Sequence, residues 1–423
     1  MGIFDSIRKR FKKGGEEPRP QEGSMVGSQI LANWRLEAIS GPEQVPSAPS
    51  NWPDQASREA KIRAGIKIPW HYGDKFGDRF KVVGLRAGGL GVVFFVEDTQ
   101  FEKRLYAAKT LQRFLHKDYL EKPTYWQKQI ADAFLEEALP WLEMGQHSNI
   151  VTVHLLQNII HPTAKRNVPF VFSQFMEKGD LSHLVIEKER LLEETFIIGL
   201  QICEGLLHAY KHGLPAHKDL KPDNIMAYKD RIYKVTDFSA GIIGTPGYMA
   251  PEQVIAYYKN RGITLVYYEL TIDHHADQFA IGLIMHDVFK GNPKNEQLKR
   301  IAYIASDPRR FIKEGIKGML SDDLPLSLKG IITRCLQPKI EHRFSSILKL
   351  QKELLKVYKS EFKRKYQFTQ VEIDDSPMWW FNRGMAFYNI GRYASAEIPF
   401  NDALNRFRAI PGTDIDQARC LIG

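Results

Sequence analysis

Two short stretches hold most of the side chains that could do chemistry. HKDLKPDN at residues 217–224 and TDF at 236–238 bring together Asp219, Asn224 and Asp237, which offer hard oxygen atoms, and one lysine, Lys221. Hard oxygens suit magnesium, and a lysine two positions from a carboxylate can neutralise an anionic group. An isolated His-x-Asp also occurs as a turn with a capping aspartate, so the weight lies on the whole set. Upstream, LRAGGLGVV puts Gly88 and Gly91 in a turn between two β-rich runs. Glycines let a backbone come close to a phosphate, although a lone GGLG is more often just a hairpin turn. The turn gains meaning because Lys109, in YAAKT, follows on a third β-rich run.

Taken in this order, the motifs resemble those of the eukaryotic-like serine/threonine protein kinases, a family also found in bacteria, over about residues 79–357. The resemblance implies an α+β, bilobal protein-kinase fold, with a β-rich N-lobe and a helical C-lobe. It implies ATP and Mg2+ as cofactors and a protein substrate with a Ser/Thr acceptor. Asp219 would orient the acceptor hydroxyl and take its proton, Lys221 would steady the phosphoryl group, and Asn224 and Asp237 would hold the metal. Lys109 would grip the α- and β-phosphates, with Glu137 as its carboxylate partner and Glu136 as second choice. Cofactor contacts would come from Gly88, Gly91, Val93 beneath the adenine, Ala107, and the hinge residues Gln174 and Met176, with Ser173 as gatekeeper. Arg86 stands where the first glycine would be, which implies a looser or differently shaped grip. Pro140 lies inside the helix that carries Glu137. Its ring would clash with the Glu136 carbonyl at a cost of about 3 kcal/mol unless the helix kinks or ends there.

Architectural positions of the resemblance are also filled: Ala250-Pro251-Glu252, Asp277, and Arg343 as the ion-pair partner of Glu252. A buried charge is tolerable only when paired, so Arg343 is a test the sequence could have failed. Residues 253–276 read as an insertion near the peptide-docking face, and His274 and His275 as surface or helix-start residues. Glu252 follows Asp237 by fifteen positions, a segment shorter than is usual in the family. Lys218 replaces the arginine before the catalytic aspartate, and Ser239 replaces the glycine of Asp-Phe-Gly. Only Ser239, Thr245 and Tyr248 carry hydroxyls there, and Thr245 matches the residue that bonds toward the catalytic aspartate and lysine. The segment is therefore expected not to be switched by phosphorylation. A nucleotide-binding pseudokinase scaffold that recruits partners is the alternative, given the departures at Arg86, Lys218, Ser239 and Pro140.

Around this domain, taken as residues 67–357, the chain changes character. Residues 1–13, MGIFDSIRKRFKK, read either as a basic amphipathic helix able to rest on an anionic membrane surface or as a solvated basic tail. Gly2 with Ser6 also fits a myristoylation pattern. Residues 14–66 read as a linker or weakly ordered arm rich in Gly, Pro, Glu, Gln and Ser. Within 375–423, Trp380, Gly384, Phe387, Ala396, Phe400 and Ala403 stand at the spacings of one tetratricopeptide repeat. A C-terminal α-helical repeat hairpin is expected, either recruiting a protein partner or docking on the preceding domain.

Composition narrows the class. With 43% hydrophobic and 26% charged residues and no apolar run of membrane-spanning length, an ordinary globular chain is expected. Cys203, Cys335 and Cys420 form no CxxC pair, against a disulfide framework or a zinc site and in keeping with a cytoplasmic location, with peripheral contact at the inner membrane face through residues 1–13. The lysines and arginines behind the net charge of +9 are spread along the chain except near the N-terminus, and with no zinc finger or aromatic RNA signature no nucleic-acid partner is expected.

Overall fold

The computed structural model describes residues 66–409 apart from 89–90, 101–102, 185, 187–190, 230, 239–243, 267–270, 317 and 371–372, together with short strands at 42–44 and 61–63. The basic stretch 1–13, Ser239 and residues 410–423 lie outside the described residues. Strands β1 (Pro42–Gln44) and β2 (Lys61–Arg63) pair antiparallel inside the stretch read as a linker. The chain then divides into two compact units, one built on a sheet and one on helices.

In the sheet unit, β3 (Lys75–Phe76), β4 (Phe80–Gly88), β5 (Gly91–Asp98), β6 (Leu105–Leu111), β7 (Val153–Ile160) and β8 (Asn167–Gln174) form one antiparallel sheet in the order β3-β4-β5-β6-β8-β7. Alternation along β5 decides which face is core: Val92, Phe94, Val96 and Asp98 are buried, and the residues between them are not. The buried face continues through Tyr106 and Ala108 on β6 and through Phe170 and Phe172 on β8. The sheet curls: Phe76 on β3 meets Phe170 at 4.9 Å and Phe172 at 6.2 Å between ring centroids, and Trp70 closes on Phe76, Phe94 and Phe170. These aromatics sit largely edge-on, the arrangement their quadrupoles favour.

Helices α1 (Lys117–Leu120), α2 (Thr124–Glu137) and α3 (Leu139–Glu143) follow β6. The proline decides where α2 stops. Ala138 leaves the helix at φ −87°, ψ −8°, and α3 restarts with Pro140 in its first turn, where a missing N–H costs nothing. The helix thus ends rather than bending around Pro140.

In the helical unit, α4 (Leu191–Lys211), α5 (Pro251–Lys259), α6 (His274–Lys290), α7 (Pro293–Ser306), α8 (Pro308–Glu314), α9 (Leu326–Cys335) and α10 (Ile347–Phe362) accompany a short hairpin of β9 (Ile225–Ala227) and β10 (Tyr233–Val235), which packs on α4. Cap-then-proline pairs start two of them: Asn292 before Pro293 and Asp307 before Pro308 each accept a backbone N–H from the first turn. Helix α6 is the buried centre. A Cβ on Gly199 of α4 would stand 2.8 Å from Met285 of α6, and one on Gly282 of α6 the same distance from Cys335 of α9, so these crossings depend on glycine. Among the described residues no helix is long and apolar enough to cross a membrane.

Two further helices, α11 (Pro377–Asn389) and α12 (Tyr393–Arg408), belong to the sheet unit. They run antiparallel, since Arg406 near the end of α12 reaches back to Asp375 at 2.8 Å. Gly384 lets Phe400 approach to where a Cβ would lie 2.5 Å away.

Candidate active site

The helical unit assembles the charged residues singled out in the sequence. Lys221 Nζ donates to Asp219 Oδ2 at 2.9 Å and to Thr245 Oγ1 at 2.7 Å, and Thr245 Oγ1 donates to Asp219 Oδ1 at 2.6 Å. Asn224 Nδ2 donates to the Asp219 carbonyl at 2.8 Å. This leaves the hard oxygen of Asn224 for another partner, which fits a divalent cation. Burial alone would lower the pKa of the Lys221 ammonium; the carboxylates around it, Asp219 first and then Asp223 and Asp237, raise it above its ordinary value. Lys221 is therefore a firm cation amid three acids. Asp237 itself sits at φ +66°, a conformation few non-glycine residues adopt.

The loop that carries Asp219 is held from beneath. Asp277, at the start of α6, accepts the backbone N–H of His217 at 2.6 Å and of Lys218 at 2.8 Å, and the Tyr210 hydroxyl at 2.6 Å. Burial raises its carboxyl above the usual range, against the pull of His217 and these donors. His217 in turn places Nε2 2.9 Å from the Thr236 carbonyl and lays its ring against Phe238 at 4.8 Å, so it joins the two motifs. Arg343 donates to both oxygens of Glu252 at 2.7 and 2.9 Å, with both side chains at most 2% exposed.

A third buried group pins the end of the short segment and was not read from the sequence. Arg300 of α7 donates to both oxygens of Asp287 of α6, at 2.8 and 2.6 Å, and to the Gly247 carbonyl at 2.7 Å. Tyr248 donates to the same carboxylate at 2.7 Å. Burial, and then the charge of Asp287, pushes the phenol well above its ordinary range. Gly244, at φ +121°, must be glycine: a Cβ there would come within 2.9 Å of Gln253 and 3.1 Å of the Lys218 carbonyl. Gln253 also donates to that carbonyl at 2.6 Å. Thr245 and Tyr248, two of the segment's three hydroxyl residues, are thus engaged inside the protein.

The sheet unit carries the other group. Strand pairing sets Arg86 opposite Val93 and Val93 opposite Lys109, while Ala107 lies opposite Ser173. Val93, Ala107 and Lys109 share the face that the aromatic core does not use, and each is only half-buried. Gly88 and Gly91 pair at the end of the β4–β5 hairpin, and a Cβ on Gly91 would lie 3.4 Å from Lys109 Cε. The backbone at Gly91 therefore lies over the lysine stem. Glu137 is the last residue of α2 and half-buried, whereas Glu136 is exposed, which favours Glu137 as the inward carboxylate. Gln174 ends β8, its N–H taken by the Thr152 carbonyl at 2.8 Å, and Ser173 is buried with its hydroxyl 3.4 Å from the Ala107 carbonyl. Met176, in the helical unit, is buried and its carbonyl accepts from Gly179 at 3.2 Å.

Asp273 caps α6, accepting from His275 through its backbone at 2.9 Å and its ring at 2.8 Å, so the adjacent histidines belong to a helix start.

A β-sheet unit with a glycine hairpin over a strand lysine, and a helical unit with an Asp-Lys-Asn loop braced by a buried aspartate, define the protein kinase fold. Residues 81–356 match the protein kinase domain family, and the chain belongs to it. It is similar to a probable serine/threonine-protein kinase of Clostridium acetobutylicum, at 25% identity over 75% of this chain and 46% of that protein. It is also similar to serine/threonine-protein kinase PknB of Mycolicibacterium smegmatis, at 23% over 70% and 45%, and to Pkn1 of Myxococcus xanthus, at 28% over 62% and 36%. The chain spans less than half the length of these relatives.

Proposed function

We propose that the chain is a serine/threonine protein kinase that transfers the γ-phosphoryl of Mg-ATP to protein hydroxyls, with a short activation segment not controlled by phosphorylation. The observation that carries this reading is the closed set of bonds among Asp219, Lys221 and Thr245. It holds a carboxylate and an ammonium in place through the protein's own bonds, and preorganised charge is the main contribution a protein makes to phosphoryl transfer. Bound Mg-ATP would supply the transferable phosphoryl. Asp219 would accept the hydroxyl proton, Lys221 would offset charge on the transferring group, and Asn224 and Asp237 would ligate the metal. Lys109, oriented by Glu137, would grip the phosphates, and Arg86, Gly88, Gly91, Val93, Ala107, Gln174 and Met176 would shape the nucleotide contacts.

The engagement of Thr245 and Tyr248 supports a segment ordered by internal bonds in place of a phosphate. The serine/threonine kinase names of the relatives, and the lysine two positions after Asp219, support the choice of acceptor. The test is nucleotide binding and transfer by Asp237→Ala, together with phosphate mapping of active protein. Loss of magnesium-dependent ATP binding in the variant, and full activity after phosphatase treatment, are the expected results. A phosphate on Thr245 that activity requires would overturn the control claim. Unchanged transfer by Asp237→Ala would overturn the metal assignment.

A further inference from the structure

Strand β7 is at the edge of its sheet, yet Val153, His154, Leu155 and Leu156 are four consecutive residues no more than 7% exposed. Successive side chains on a strand point to opposite faces, so both faces of β7 must be covered. The cover on one of them is α11. The side of α11 that carries Met378, Trp379, Asn382, Arg383 and Asn389 is spent on the sheet unit, while Phe381 and Gly384 knit it to α12. Trp379 sets its ring against His154 at 5.4 Å, and His154 lies against Tyr106 at 5.2 Å. Asn382, 1% exposed, accepts from Arg79 at 2.7 Å, and Arg79 is bound in turn to the fully buried Asp98 at 2.6 Å.

Two of these contacts end on backbone carbonyls that matter for the site. Arg383 Nη1 donates to the Leu142 carbonyl at 2.8 Å, and Asn389 Nδ2 to the Leu156 carbonyl at 2.9 Å. Leu142 lies in the last turn of α3, whose final carbonyls have no partner within the helix and attract a cation. Helix α3 follows α2 directly, across the break forced by Pro140, and α2 ends on Glu137. A helix broken there lacks the continuous hydrogen bonding that would fix its end, and Arg383 supplies an anchor from outside.

We propose that the C-terminal helix pair is a built-in positioning element: Arg383 and Asn389 fix the α2–α3 turn against β7, and so fix Glu137 for its work with Lys109. This rests on the kinase reading for the role of Glu137. It also gives the helix pair a use that needs no partner on the α11 side facing the sheet.

The test uses the full chain with Arg383→Ala, Asn389→Ala and Arg383→Lys, read by amide hydrogen exchange over residues 124–143 and by the KM for ATP and kcat. Losing one hydrogen bond to a carbonyl is worth about 1.4 kcal/mol, or tenfold. Exchange in Arg383→Ala should therefore quicken by about tenfold over that stretch only, and the KM for ATP should rise by about 5- to 10-fold with kcat changed less. Arg383→Lys, which keeps a donor and the charge, should restore most of both. Exchange over 124–143 indistinguishable from that of the parent in both alanine variants overturns the proposal, as does quickened exchange with an unchanged KM. If the parent chain transfers no phosphate at all, quickened exchange still supports the anchoring and the kinase reading is the one that fails.

Discussion

Replacing Arg300 with methionine isolates what holds the short segment in place. The guanidinium makes three bonds, two to Asp287 and one to the Gly247 carbonyl, and the two charged side chains are 3% and 0% exposed. Methionine fills much of the volume but leaves a buried carboxylate whose remaining donor on the segment is the Tyr248 hydroxyl. Breaking a buried ion pair from one side costs about 3–5 kcal/mol, because the surviving charge stays desolvated. In a unit of about 200 residues each kcal/mol moves Tm by roughly 2–4 °C, so the melting transition should fall by about 10 °C. Arg300→Met with Asp287→Leu should recover most of that loss, since removing both charges removes the penalty. The assays are thermal melting of the four proteins of the cycle and hydrogen exchange over residues 244–250, which should quicken in Arg300→Met. A single variant that melts within about 1 °C of the parent, with unchanged exchange, would refute the claim that this buried group pins the segment.

Thr245→Val removes one donor to Asp219 and one acceptor for Lys221 while keeping the shape, and should cut phosphoryl transfer by about 10- to 100-fold; Thr245→Ser should retain most of it, and equal activity in the two variants would contradict the bonding role. Acid stability should be limited by His147, whose Nδ1 accepts the Asn149 N–H at 3.1 Å and whose pKa is pushed down to about 4 by burial and by His208, Lys234 and His212. The folded state holds the neutral ring while the unfolded chain takes a proton near pH 6.5. Its contribution is therefore complete above pH 6.5 and lost as pH falls toward 4, by about 1–2 kcal/mol once its partial exposure is allowed for. His147→Asn should flatten that limb in urea melts between pH 7 and 4, and an unchanged slope would remove His147 from the account. Lys234, 2% exposed and lowered to about 8 by burial, makes the same case at the alkaline end. The unfolded chain stays protonated to about pH 10.5, so stability should rise between pH 8 and 10.5, and Lys234→Met should abolish the rise.

The legible part of this protein was what local chemistry dictates. The glycine turn between two β-rich runs, the strand that carries Lys109, and the stop at Pro140 all follow from short-range rules, since turn glycines, alternation and a proline ring act within a few residues. The ion pair of Glu252 with Arg343, ninety-one positions apart, was reached only through the resemblance to kinases, because nothing local links them. The bonds that join Arg300, Asp287 and Tyr248 are illegible for the same reason: an arginine only 2% exposed looks in sequence like any surface arginine on an amphipathic helix. The docking side of α11 was half-legible. The small and aromatic residues that knit α11 to α12 stood at recognisable spacings, but Asn382 and Arg383 look like solvent-facing positions until β7 is seen to need a cover. The adjacent Leu155 and Leu156 in VHLLQNII were the signal available, since neighbouring residues of a strand point to opposite faces.

The central claim is that Asp219 works as the proton acceptor in a phosphoryl transfer that needs no phosphate on the segment. The most direct measurement follows labelled γ-phosphate from Mg-ATP, to the chain itself and to a generic basic protein, comparing phosphatase-treated parent protein with Asp219→Asn. Transfer by the parent, reduced about 10²- to 10⁴-fold in the variant while ATP binding persists, is the predicted result. ATP binding without transfer by the parent, or equal transfer by the two proteins, would contradict the account, the first pointing to a nucleotide-binding scaffold.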